Sequence, residues 1–258
     1  MSLLNGKKAK DLAFSDFVSS ALRGLVMPAF SLPIILLGVA VGYATDLAIK
    51  PLLESGFENV ESIGAVVGPI ATATGISIVT GIFIAVYAQV YGILATAKEG
   101  TPTVGEALSV VGQRGLSVLG AGLIVGLLTV GLFIVGLLPV IGIAIAANAA
   151  GVTTGLTILF AVAVIYLSLR LGQAGWFAAD GLSAVDAVKT SWSRTHGHLM
   201  KIFLWSLGGG IVFFLISSVI GLLTSSLPAS IGGSIGTGVG LVFTYASGAV
   251  LYRRITAK

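Results

Sequence analysis

The stretch Leu116–Leu169, LSVLGAGLIVGLLTVGLFIVGLLPVIGIAIAANAAGVTTGLTILFAVAVIYLSL, decides the fold because it contains no Asp, Glu, Lys or Arg. A helix that crosses a lipid bilayer needs about 20 predominantly apolar residues, so this run is long enough for two helices. Backbone groups in lipid must be bonded within the chain, and the run lacks the alternation of a strand. The stretch therefore predicts a transmembrane helical hairpin.

The whole chain, like this stretch, is rich in hydrophobic residues and poor in charged ones. Of its 258 residues 56% are hydrophobic and only 9% are charged, whereas soluble proteins carry about 25% charged residues. Mean hydropathy is +1.06. These features predict an all-α integral membrane protein, a single membrane domain over residues 1–258 with six transmembrane helices. The predicted spans are 24–46, 67–96, 116–138, 152–177, 199–223 and 233–252.

The basic residues predict how these spans are oriented. Of the 14 Lys and Arg, all except Lys50 fall on one side of the predicted membrane. Cytoplasmic loops carry an excess of Lys and Arg, so both termini and the second and fourth loops are expected in the cytoplasm. This pattern indicates a membrane protein with a basic cytoplasmic face, to which anionic lipid headgroups are attracted. The residues on that face are Lys7, Lys8, Lys10, Arg23, Lys98, Arg114, Arg170, Lys189, Arg194, Lys201, Arg253, Arg254 and Lys258.

An internal repeat divides the chain into three parts. Thr103–Arg114, TVGEALSVVGQR, aligns without gaps on Ser183–Arg194, SAVDAVKTSWSR, and the N-terminal FSDFVSSALR fits more loosely. Glu106 falls on Asp186 in this alignment. Because each copy precedes a pair of spans, the pattern predicts three tandem units, each a cytoplasmic interfacial helix followed by a helical hairpin. The predicted units are approximately 11–97, 103–178 and 183–254.

The repeated segments are predicted to be amphipathic helices at the membrane surface. In the third copy, Asp186 and Lys189 recur at helical spacing on a polar side, while Trp192 belongs to an apolar side. An acidic residue near the start and an arginine at the end, here Asp186 and Arg194, suit the helix dipole.

Residues 170–203, RLGQAGWFAADGLSAVDAVKTSWSRTHGHLMKIF, resemble a known pattern. The stretch resembles the signature of a large prokaryotic family of six-helix membrane proteins related to the membrane domain of glycerophosphodiester phosphodiesterases. The resemblance implies the six-helix fold; most members have no assigned activity, so it leaves function open. The acidic position is Asp180, where Glu is usual in the family. The matching positions are Arg170, Asp180, Ala184, Ala187, Ser191, Trp192, Thr195 and Gly197.

Arg170 is the strongest single candidate for a functional residue. Apart from Asp46 and Lys201 at the ends of their spans, it is the one ionisable side chain other than tyrosine inside the spans, and a charge within a span is a functional hypothesis by default. Asp180 across the following bend and Gln173 one turn away are candidate partners. Two interpretations remain open: a structural clasp or snorkelling arginine that joins the second hairpin to the third interfacial helix, or a contact for an anion.

Other kinds of site find little support in the sequence. His196 and His198 lack further His or Cys to complete a metal site, so no metal or cofactor is expected. No pairing of nucleophile, base and acid predicts catalysis, and glycine-rich strings inside apolar runs do not predict binding of nucleotides or nucleic acid.

Two functions remain from the sequence. The first hypothesis is a non-enzymatic integral membrane scaffold or accessory subunit of a membrane protein complex, because the spans carry almost no polar chemistry. The alternative is a transporter or a lipid-binding or anion-binding membrane protein with a cavity open to the cytoplasm, in which Arg170 contacts an anionic headgroup. A membrane enzyme is the least supported class.

Overall fold

A computed structural model describes Leu3 and residues 13–55, 63–97, 101–139, 142, 150–224, 226–227 and 229–257 of the chain. Lys7, Lys8, Lys10, Lys98 and Lys258 of the predicted basic face lie outside these residues. The described part is helical and contains no strand. Its helices are α1 (Phe14–Leu25), α2 (Pro28–Ser55), α3 (Ile63–Ala97), α4 (Val104–Leu132), α5 (Ala150–Leu171), α6 (Ala174–Ala179), α7 (Ala184–Thr195), α8 (Leu199–Leu223) and α9 (Ala229–Thr256).

The prediction of a helical chain is confirmed for the described residues, and so is the prediction of several helices long and apolar enough to span a membrane. Five helical runs are long and apolar enough to cross a membrane, and a sixth is obtained if α1 and residues 28–44 of α2 form one bent span. These two segments meet at an angle of 71°. Pro28 begins α2 because its ring fits the first turn of a helix and it has no N–H to leave unbonded there. The helix that covers most of the predicted first span therefore begins at Pro28.

The three repeated segments have different geometries. The first is the separate helix α1, but the second is the beginning of α4, which runs unbroken from Val104 through Arg114 to Leu132. The third, α7, is joined to α8 by one 3-10 turn, His196–His198, and together they form a run of 40 residues. Two of the predicted interfacial helices thus continue into the following span, because no proline interrupts their backbone hydrogen bonds. The organisation into three equivalent units stays a prediction.

The acidic residue of each repeat has one shared role, which is to cap the start of its helix. Glu106 Oε2 accepts from the backbone N–H of Thr103 at 2.9 Å, and Thr103 Oγ1 accepts from the N–H of Glu106 at 3.2 Å. Asp186 accepts from the Ser183 hydroxyl at 2.6 Å, while Asp16 accepts from the backbone N–H of Ala13 at 2.9 Å. These capping contacts bond backbone groups that a helix start leaves without partners.

The chain forms two compact units, and their limits differ from those of the predicted repeats. The first unit comprises residues 1–111 and 205–258. In its core the Phe30 ring stacks on Tyr91 with centroids 5.0 Å apart, and the Tyr87 hydroxyl donates to the backbone oxygen of Ala29. A Cβ on Gly238 of α9 would lie 3.0 Å from the Cα of Ile35 on α2. Glycine is therefore needed for this close approach of α2 and α9.

The second unit comprises residues 112–204. Its buried centre lies where the end of α5, the short helix α6 and α7 meet, and the buried residues there include Trp176, Phe177, Ala187 and Ser191. A Cβ on Gly120 of α4 would lie 2.8 Å from the Cβ of Ala184, so α4 also approaches the start of α7 closely. This unit contains the predicted site residues.

Candidate functional site

Arg170 lies in the last turn of α5 and is almost completely buried, with 4% of its surface exposed. Its backbone carbonyl is one of the last four of the helix, which have no partner within the helix. The hydroxyl of Ser191 donates to this carbonyl oxygen at 2.7 Å. The Thr195 hydroxyl lies 3.3 Å from the same oxygen and shares its proton with the closer backbone oxygen of Ser191, at 2.7 Å. Both hydroxyl residues are fully buried on α7. The backbone of Arg170 is thereby fastened to α7.

The guanidinium of Arg170 lies against two aromatic rings. Its Cζ is 4.2 Å from the centroid of the Trp192 ring and 5.6 Å from that of Tyr166. The two rings meet edge to face, with centroids 6.1 Å apart and an interplanar angle of 88°. Tyr166 precedes Arg170 by one helical turn, and Trp192 comes from α7. We call these three residues the Arg170 cluster.

Part of the Arg170 guanidinium has no hydrogen bonds in the described structure. Nε and Nη1 are buried and neither has a hydrogen-bond partner. Cation–π contacts of a desolvated arginine contribute about 2 kcal/mol, whereas removing a charged group from water costs several kcal/mol. The aromatic rings therefore offset only part of the cost of burying this charge.

The two predicted partners of Arg170 have other positions and contacts. Asp180 ends α6, is exposed, and is not among the contacts of Arg170. Gln173 is buried ahead of α6; its backbone oxygen accepts from the N–H of Trp176 at 3.1 Å, and its side-chain Oε1 has no hydrogen-bond partner. The end of α5 is joined to α7 through Ser191, Thr195 and Trp192, and the clasp between Arg170 and Asp180 stays a prediction.

Tyr166 of the cluster and the neighbouring Ser191 were not singled out as site residues in the sequence. Tyr166 lies four positions before Arg170, and that spacing places both side chains on one side of a helix, so it was a usable signal. The hydroxyl of Ser191 offered no such signal, because nothing local indicates which carbonyl it will meet.

Helix α7 packs through one side and leaves its apolar side uncovered. Its buried residues are Ala187, Ser191 and Thr195, which are small and spaced by one helical turn. Val185 is 52% exposed and Trp192 is 42% exposed. The side predicted to be apolar is thus free of contact with most of the chain and remains available to a membrane surface.

The polar residues of α7 divide between capping and exposure. Asp186 caps the start of the helix through Ser183. Lys189 and Arg194 are exposed. They add positive charge to the helix that carries Trp192. The described contacts of the Trp192 ring are with Arg170 and Tyr166, and do not include Lys189 or Arg194.

A second arginine of this unit binds a helix end. Arg114 Nη1 donates to the backbone oxygen of Ala179, the last residue of α6, at 2.7 Å. Cations near a helix C-terminus bond its last carbonyls and interact favourably with the dipole. Arg114 therefore has a structural partner that Arg170 lacks.

Metal ligands are not grouped in the described part of the chain: no three His, Cys, Asp or Glu residues there are placed to hold an ion. His196 is exposed, and the Nδ1 atom of His198 is buried without a hydrogen-bond partner. The two histidines lie together in the 3-10 turn between α7 and α8.

Comparison with known proteins adds no relative to this description. No family model, no curated protein and no solved structure matches the chain. The resemblance of residues 170–203 to the six-helix family stays a prediction, and the function is argued from the chain itself.

Proposed function

We propose that the chain is a non-enzymatic integral membrane scaffold or accessory subunit, which packs against other proteins in the membrane through α4, α5 and α8. The proposal extends to its location: the cytoplasmic membrane of a prokaryote, with both termini in the cytoplasm and anionic headgroups at the basic face. The orientation is supported by the one-sided distribution of Lys and Arg.

The uneven burial of the spanning helices carries this proposal. In the most apolar part of α3, 50% of the residues are buried inside the chain, and in α9 the share is 61%. The corresponding share is 11% in α4, 11% in α5 and 6% in the run from α7 to α8. Three of the apolar helices thus leave most of their surface to lipid or to a partner.

The glycines indicate that part of this surface suits a protein partner. Small residues four apart let two membrane helices approach closely, and Gly122 and Gly126 of α4 have this spacing. A Cβ added at either position would meet no atom of the described residues within 4 Å, so that part of the chain does not use this register. By contrast, Gly238 is used for the approach of α9 to α2. We infer that a helix of another membrane protein packs on Gly122 and Gly126.

Extraction at native expression level in a gentle detergent or in nanodiscs, followed by mass spectrometry, tests the proposal. The wild-type chain is expected to co-purify with another membrane protein in a stoichiometric amount. A chain with both Gly122→Leu and Gly126→Leu is expected to be recovered without that protein. Gly75→Leu on α3 is the matched control, because its added side chain also points into open space and should leave the partner bound. Recovery of the chain with lipid alone, or equal recovery of the partner with all three chains, would contradict the proposal.

A further inference from the structure

The buried charge of Arg170 is the feature that the scaffold proposal does not use. Its Nε carries one N–H bond and its Nη1 carries two, and all three are buried without an acceptor. Buried polar groups in proteins are normally bonded, and each exception calls for an explanation. A residue with a purely structural role would not need this charge, because an apolar side chain of similar length fills the same space.

The geometry of the cluster favours an oxyanion as the missing partner. The rings of Trp192 and Tyr166 interact with the cation, but their faces do not replace oxygen atoms at the N–H groups. Guanidinium N–H bonds lie in the plane of the group and match the oxygens of phosphate in number and direction. An anion can therefore bind at the edge of Arg170 while Trp192 stays over the face.

The supporting contacts hold Arg170 in position before any ligand arrives. Ser191 and Thr195 fasten its backbone oxygen to α7, so the guanidinium does not depend on the anion for its placement. Such preorganisation lowers the entropy that is lost on binding.

We propose that the Arg170 cluster binds one phosphate group, either the phosphate of a phospholipid headgroup or free phosphate. Access requires a small movement, since Nε and Nη1 are buried. The covering rings are at the surface: Tyr166 is 43% exposed and Trp192 is 42% exposed. The proposal requires that Tyr166 or a neighbouring side chain rotates while Trp192 stays over the face; the bonds of Ser191 and Thr195 to the Arg170 backbone oxygen do not involve these rings.

Ligand-dependent thermal unfolding of the full-length chain, purified in a phosphate-free detergent, tests the site directly. Three probes are added separately: inorganic phosphate, a short-chain phosphatidic acid, and the diacylglycerol of the same chain length. Stabilisation by phosphatidic acid alone supports a headgroup site. Stabilisation by inorganic phosphate, with or without phosphatidic acid, supports a site for free phosphate. No stabilisation by either phosphate probe, or an equal effect of diacylglycerol, overturns the proposal.

Variants then assign the effect to Arg170. Arg170→Met should weaken binding of the active probe by about thirtyfold or more, because the ligand loses a buried charged donor. Arg194→Met is the matched control, since it removes an exposed arginine of the same unit and should bind nearly as the wild type does. If Arg170→Met does not fold, Arg170→Lys, which keeps the charge but loses the planar donors, should still bind measurably more weakly. Binding by a folded Arg170 variant as tight as that of the wild type overturns the assignment.

Discussion

Arg114 donates a hydrogen bond from Nη1 to the backbone oxygen of Ala179 at 2.7 Å, and so joins α4 to the end of α6. The chain turns immediately afterwards at Gly181, whose φ of 114° is a conformation that residues with a Cβ rarely adopt. A Cβ there would also lie 3.7 Å from Arg114 Cζ. In the other unit, Arg253 Nε bonds Thr96 Oγ1 at 3.0 Å near the end of α3. Arginines thus hold helix ends in both units.

Replacing Arg114 by methionine should destabilise the chain. The variant keeps most of the apolar stem but leaves the Ala179 carbonyl without its charged donor, at an expected cost of about 1–2 kcal/mol. Equilibrium unfolding in detergent measures the change. Arg194→Met is the control, because Arg194 is exposed and its loss should change the free energy of unfolding by less than about 0.5 kcal/mol. Equal effects of the two substitutions would show that the bond to Ala179 contributes nothing.

Ser191→Ala should lower stability more than Ser193→Ala, although the two serines are neighbours on α7. Ser191 is buried and donates to the Arg170 carbonyl oxygen at 2.7 Å, whereas Ser193 is exposed and bonds Thr190 of its own helix. The expected loss is about 1 kcal/mol for Ser191. Equilibrium unfolding of the two variants in detergent compares these losses; an equal loss for Ser193→Ala would contradict the prediction.

Combining Ser191→Ala with Thr195→Val should cost more than the sum of the separate losses, since either hydroxyl alone can still donate to the Arg170 oxygen. A double-mutant cycle on the free energy of unfolding measures the coupling between the two substitutions. Strictly additive effects would indicate that the two hydroxyls do not share this acceptor.

Two glycine-to-alanine substitutions should have opposite effects on stability. Gly238→Ala places a Cβ 3.0 Å from the Cα of Ile35 and should push α2 and α9 apart, at a cost of about 1–3 kcal/mol. Gly122→Ala adds a methyl group in open space and should stabilise α4 by about 0.4–1 kcal/mol, because alanine loses less backbone entropy in a helix. Thermal unfolding of both purified variants is the measurement. A destabilising Gly122→Ala would mean that α4 is packed at this position.

The proposed orientation predicts opposite labelling of two introduced cysteines. The chain contains no cysteine, so each variant has a single thiol. Ser193→Cys on α7 should react with a membrane-impermeant maleimide only from the cytoplasmic side, and Ser226→Cys, between α8 and α9, only from the opposite side. Intact cells and inverted vesicles expose the two sides in turn. Labelling of both positions from the same side would contradict the orientation.

The site was only partly predictable because its contacts join distant parts of the chain. The sequence indicates Arg170 because it is a single charge in an apolar run. It could also have indicated Tyr166, because that residue lies one helical turn before Arg170. Asp180, the expected partner, is close in sequence and exposed, and its pairing with Arg170 stays a prediction. Trp192 and Ser191 instead come from α7, and helical periodicity does not specify which neighbouring element a side chain will meet.

By itself, the sequence determined that the chain is helical and that its helices are long and apolar enough to cross a membrane, because hydrophobicity and backbone bonding are local properties of each segment. It also placed Asp186 near a helix start, since a carboxylate there suits the helix dipole. Only the tertiary structure decided that α4 continues through Arg114, that α9 packs on α2, and that the Arg170 guanidinium is buried without an acceptor. These outcomes depend on which helices approach each other, and that choice is made by side-chain shape and polar groups far apart in the chain.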